Sequence, residues 1–133
     1  MRVKGLDGRT YPWNLTGKIP LGSNTRPRSS GHIRCRELLE KLFPFDSRLE
    51  EVFLPGSGGL TADFVIPTQR LLIEVHGVQH REHTPFFHET PLDFLKSRGR
   101  DQSKVRWAEL NDLKFIELHD NESDREWRAR LLR

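Results

Sequence analysis

Glu74 and His76 stand two residues apart in the run Leu-Leu-Ile-Glu-Val-His, and on a strand that spacing puts both on one face. Ile73 and Val75 take the opposite face, where they can pack. A carboxylate inside so apolar a run is costly unless it is paired or holds a cation. Asp63 lies in a second apolar run, 62–66, and a turn through residues 67–70 would bring it back beside Glu74. Two carboxylates meeting from neighbouring strands suit a hard cation, Mg²⁺ with Mn²⁺ as a substitute, which leaves coordination positions for water and phosphate oxygens. Such an ion polarises a phosphate and lowers the pKa of a water. Histidine titrates near neutral pH, so His76, or His80 four residues on, suits proton transfer. For His80, beyond Gly77, a solvated loop side chain is the competing account.

Residues 91–111 have helical spacing, with Phe94, Asp101, Val105 and Ala108 on one arc and Lys104 at its edge. An acid on an apolar arc needs a partner. His80 is one, since a carboxylate fixes the tautomer of an imidazole and raises its basicity. Lys96, Arg98, Arg100, Lys104 and Arg106 surround this acid and could hold backbone phosphates, although an ordinary charged helix face would look the same. His83 and His88 extend the histidine run. No cysteine joins them and their spacing fits no standard zinc finger, so loop positions near the site are the simpler account.

Positioning these groups requires a particular set of elements. Ser29 and Ser30 read as an N-cap region for a helix over 31–43, whose Cys35, Leu38, Leu39, Leu42 and Phe43 share an arc and which Pro44 closes. Residues 49–54, 62–66 and 71–76 read as strands of an antiparallel meander. A loop over 77–90 follows, then the 91–111 helix and a fourth strand at 113–118. Ser123 and Glu126 form a capping box that opens a last helix to about residue 132. The order α-β-β-β-α-β-α permits a crossover into the fourth strand, hence an α/β fold with a four-stranded mixed sheet flanked by helices. Residues 1–30 show no periodicity and read as a basic, loop-rich arm with a turn at Asp7-Gly8; Tyr11 and Trp13 would pin it to the body or lie along DNA. Residues 31–133 form the single domain. No internal repeat is seen.

The 133 residues, 35% hydrophobic and 31% charged, supply apolar material for one modest core. The net charge is +3, unevenly spread. Residues 1–36 hold eight basic side chains, Arg26, Arg28, Arg34 and Arg36 among them, against the single acid Asp7. That is a net +7, leaving −4 on the rest, and it points to a polyanion such as double-stranded DNA, a solvated tail being the bland alternative. One cysteine, Cys35, excludes an internal disulfide and a multi-cysteine zinc cluster. No run approaches a membrane span and no apolar signal segment stands at the start, so a cytoplasmic protein without membrane contact is expected.

Asp63, the strand Ile-Glu-Val-His-Gly-x-x-His and the later Arg-Asp-x-x-Lys resemble the PD-(D/E)XK nuclease superfamily. More narrowly they resemble the branch with the very-short-patch-repair endonuclease and the phage EDxHD homing endonucleases, over residues 30–118. The resemblance implies a restriction-endonuclease-like core and Mg²⁺-dependent hydrolysis of DNA phosphodiesters. It implies Asp63 as metal ligand and Glu74 as the second acid. His76 stands where the superfamily usually has lysine, a departure shared with the repair branch, where histidines take over acid–base work. His80 and Asp101 match the H and second D of EDxHD. The first E should come from the first helix. Glu37 is there but falls opposite the apolar arc, so His32, beside the arc, stands as its substitute and Glu37 as the alternative. The expectation is a homing- or repair-type DNA endonuclease, acting as a homodimer or with a fused or associated DNA-reading module where a long site is read. A nuclease-fold DNA-binding protein without catalysis and a histidine-rich metal-binding domain are the alternatives.

Overall fold

Ser29 caps the first helix: its side chain accepts the His32 backbone N–H, and α1 runs Ser30–Leu42. The computed structural model describes residues 2–15, 29–77 and 91–133; for 91–98, 100 and 101 it describes the backbone alone. After α1 come β3 (Leu49–Phe53), β4 (Thr61–Ile66), β5 (Leu71–His76), α2 (Pro91–Leu110), β6 (Lys114–His119) and α3 (Asp124–Leu131), preceded by a hairpin of β1 (Arg2–Lys4) and β2 (Thr10–Pro12). The main sheet has the order β3-β4-β5-β6. The first three strands form the antiparallel meander, and β6 joins β5 in parallel after the α2 crossover. This is an α/β fold with a mixed four-stranded sheet, as the element order led us to expect. Among the described residues no helix is long and apolar enough to cross a membrane.

Each face of the sheet carries its own apolar core. Cys35, Leu39 and Phe43 of α1 and Trp127 and Leu131 of α3 pack on Phe64, Ile66, Ile73 and Leu118. On the other face, Trp107 and Ala108 of α2 pack on Leu49, Val65 and Leu72. Burying one side chain of leucine or phenylalanine size is worth roughly 1.5–3 kcal/mol, so these faces fix where the helices lie. Glu74 and His76 share the α2 side with Leu72, while Ile73 and Val75 turn to α1.

Residues 2–15, read as loop, are instead a hairpin, with Arg2 opposite Pro12 and Lys4 opposite Thr10. Strands of three residues show little more than one alternation, so periodicity could not reveal them. A lone two-stranded ribbon is marginal in water; this one is docked. Val3 and Trp13 are buried in the α2-side core, and Trp13 meets Trp107 edge-on at 5.2 Å between ring centroids. Asn111 bonds both ways to the Lys4 backbone, at 2.7 and 2.9 Å. A Cβ on Gly56 would lie 2.5 Å from the Gly5 Cα, so this approach requires glycine. The remainder of the expected arm, with Arg26 and Arg28, lies outside the described residues.

Candidate active site

The β3–β4 pairing keeps one register but is interrupted level with Glu51 and Asp63, where Glu51 adopts φ 52°. Both strands change faces there. Glu50 meets α1 and Phe64 the α1-side core, whereas Val52 and Ala62 belong to the α2-side core. The β4–β5 ladder stops at Phe64 opposite Ile73, one rung short of Asp63 and Glu74. Side chains replace the missing rungs: Asp63 Oδ2 accepts the Val75 N–H at 2.9 Å and Glu74 Oε2 accepts the Asp63 N–H at 2.9 Å. Each carboxylate is thus anchored to the strand bearing the other.

Glu74 is 2% exposed. Burial, then the charge of Asp63, raise its pKa to about 8, against the Lys104 ammonium that reaches Glu74 Oε1 from α2. Two carboxyls so placed hold a shared proton or a cation at neutral pH. Among the described residues no three His, Cys, Asp or Glu side chains form a metal-holding group. Among the described residues the donor set is the carboxylate pair, whose hard oxygens fit Mg²⁺ or Mn²⁺.

His76 is 3% exposed. Its Nε2 lies 3.4 Å from Glu117 Oε1 and its ring centre 5.3 Å from that of His119. Both neighbours come from β6, where Ile-Glu-Leu-His runs in register with the Ile-Glu-Val-His of β5: Ile73 beside Ile116, Glu74 beside Glu117, Val75 beside Leu118, His76 beside His119. The sequence reading missed Glu117 and His119, and this four-residue echo was the signal that could have found them.

His32 and Glu37 sit as the helical wheel put them, His32 buried and Glu37 exposed. Nε2 of His32 is 2.8 Å from Glu50 Oε1, and its ring stacks on Phe64 with centroids 4.4 Å apart. Arg36 clamps Glu50 with two bonds of 3.1 and 2.9 Å. Glu50, 1% exposed, was also missed, since the adjacent Glu51 makes the run Leu-Glu-Glu-Val-Phe read as an ordinary charged stretch. The Cys35 thiol is pushed well up by burial, then by Asp63, with Arg34 opposing, so it is an inert core group.

Arg34 lies 3.8 Å over the Trp127 ring and bonds Asp124 and the Glu122 carbonyl. Both α1 arginines expected on DNA therefore have partners inside the fold. His80, His83 and His88 lie outside the described residues, and so do the side chains of Lys96, Arg98, Arg100 and Asp101. The structure thus brings together Asp63, Glu74 and Lys104, sets His76 behind Glu74 on the same strand, and gives His32 to a separate buried cluster with Glu50.

No protein-family model matches the chain, and no curated protein and no solved structure matches it.

Proposed function

We propose that the chain is a metal-dependent endonuclease that hydrolyses phosphodiester bonds in double-stranded DNA on a restriction-endonuclease-like core. The observation that carries this reading is the Asp63–Glu74 pair, two carboxyls fixed by each other's strand at an interruption of the sheet. The meander with a helical crossover into a parallel strand supports it, and so does the sequence resemblance. Asp63 and Glu74 would hold the metal, Mg²⁺ or Mn²⁺. Bound there, it would supply a polarised phosphoryl oxygen and a water of lowered pKa. Lys104, half-buried beside Glu74, adds positive charge where negative charge grows on a phosphate. His80, which the resemblance pairs with Asp101, and His76 are our candidates for the proton that passes to or from substrate.

A second reading has one observation in its favour. Lys104 already places a cation on Glu74, which is how a nuclease-like fold that only binds DNA would neutralise an old metal site. Plasmid nicking with Mg²⁺, Mn²⁺ or EDTA separates the two, run beside Asp63→Ala and Glu74→Gln. We expect nicking in either metal, none in EDTA, and loss of at least 100-fold in both variants, about 3 kcal/mol of transition-state stabilisation. Nicking that survives Asp63→Ala would sink the site. DNA retarded on a gel but not cut under any metal would favour the binding-only protein.

A further inference from the structure

The hairpin β1–β2 turns one face into the core and the other to solvent. Arg2, Lys4, Thr10 and Pro12 alternate outward, while Val3 is buried and Tyr11 half-buried. The hairpin's one acid, Asp7, accepts from the Tyr11 hydroxyl and from the Arg9 N–H at 3.0 Å. Asp7 is thus engaged in the turn, and among the described residues no ion pair engages Arg2 or Lys4. Loose basic tails are common; a basic ribbon docked on a helix is a different object. Asn111 holds Lys4 by its backbone, Trp13 packs on Trp107, and the Trp13 indole N–H donates to the Phe53 carbonyl at 3.1 Å.

Asn111, which holds the Lys4 backbone, stands directly after α2, the helix that carries Lys104. We propose that the outer face of the hairpin, through Arg2 and Lys4, is a docking surface for the phosphate backbone of duplex DNA. Arg34 and Arg36 have no part in it, because Asp124, Trp127 and Glu50 engage them. The proposal rests on the DNA reading of the same site but not on catalysis.

The test reads binding alone, in EDTA. A fluorescently labelled 20-base-pair duplex is titrated with the full chain across a salt series, for the wild type, Arg2→Gln/Lys4→Gln and Arg34→Gln. Each phosphate contact contributes about 0.9 to the slope of log K against log salt. The double variant should lose close to two from that slope and at least tenfold in affinity at 0.1 M salt, with an unchanged thermal midpoint, since both side chains are exposed. Arg34→Gln should keep the slope and lose stability. An unchanged slope in the double variant overturns the proposal, as does a wild type that binds no duplex at low salt or binds anionic lipid vesicles in preference to it. Hairpin-dependent binding by a protein that nicks nothing would leave the surface standing and remove the nuclease.

Discussion

At the residue scale, the buried glutamates behave differently. Glu74 has its pKa raised from an ordinary 4.5 to about 8, by burial first and by Asp63 second, against Lys104. Below 4.5 the group is protonated in both folded and unfolded chains. Between there and about 8 only the unfolded chain releases the proton, so the stability this group contributes falls as pH rises through that window and levels off above it. Unfolding free energies from urea titrations in EDTA from pH 5 to 8.5 should decline in the wild type by on the order of a few kcal/mol, and Glu74→Gln should flatten the decline. Mg²⁺ should offset more of it at pH 8 than at pH 5; parallel profiles for the two proteins would falsify this account. Glu50 makes its contribution through partners. Removing it strands Arg36 and His32 without their acceptor, so Glu50→Ala should cost about 3–5 kcal/mol by denaturant titration, whereas Glu37→Ala on the exposed face should stay within about 0.5 kcal/mol. Glu74 stood out in the sequence because an acid in so apolar a strand is anomalous by itself, and Asp63 because the turn at 67–70 returns it beside Glu74. Glu50 was not singled out because Glu51 beside it masks the anomaly, and its role depends on α1 turning His32 and Arg36, 18 and 14 residues upstream, towards it.

At the element scale, legibility followed the number of periods an element contains. The α1 arc over three turns and the Ser123–Glu126 capping box, which the structure shows in full, were readable locally. The three-residue strands of the hairpin were not, and neither was the pairing of β5 with β6, because parallel register is set by a crossover rather than by a turn. As an edge strand, β6 exposes backbone groups to any passing strand, and α3 with its leading turn covers them. Arg130 donates to the Glu117 carbonyl at 2.7 Å, the Trp127 indole to the His119 carbonyl at 2.9 Å, and Glu122 accepts the His119 N–H at 2.8 Å. Arg130 also holds Glu122, whose pKa it depresses to about 2. Arg130→Ala should therefore cost about 1–2 kcal/mol and, more tellingly, raise self-association by light scattering at concentrations where the wild type is monodisperse. A variant as monodisperse as the wild type would mean that this edge needs no guard.

At the scale of the whole molecule, one sheet separates two cores, and the candidate site lies where β4 and β5 stop exchanging backbone bonds between them. The α2-side core is shared by Val3 and Trp13 of the hairpin segment and by the helix that delivers Lys104, so one packed core joins the hairpin to the element that carries the site's lysine. That connection was invisible in composition, which showed only that the chain's beginning is basic. It also makes the molecule optically informative. The three tryptophans, Trp13, Trp107 and Trp127, are all buried, two of them edge-on across the joint between hairpin and α2 and the third beneath the Arg34 guanidinium. Two indoles at 5.2 Å couple their electronic transitions, so the joint should carry an exciton couplet in circular dichroism that Trp127 does not share. Lifting the hairpin from α2 would erase that couplet and red-shift part of the emission before the sheet itself gives way, which makes the docking of the chain's beginning observable by light without attaching a label.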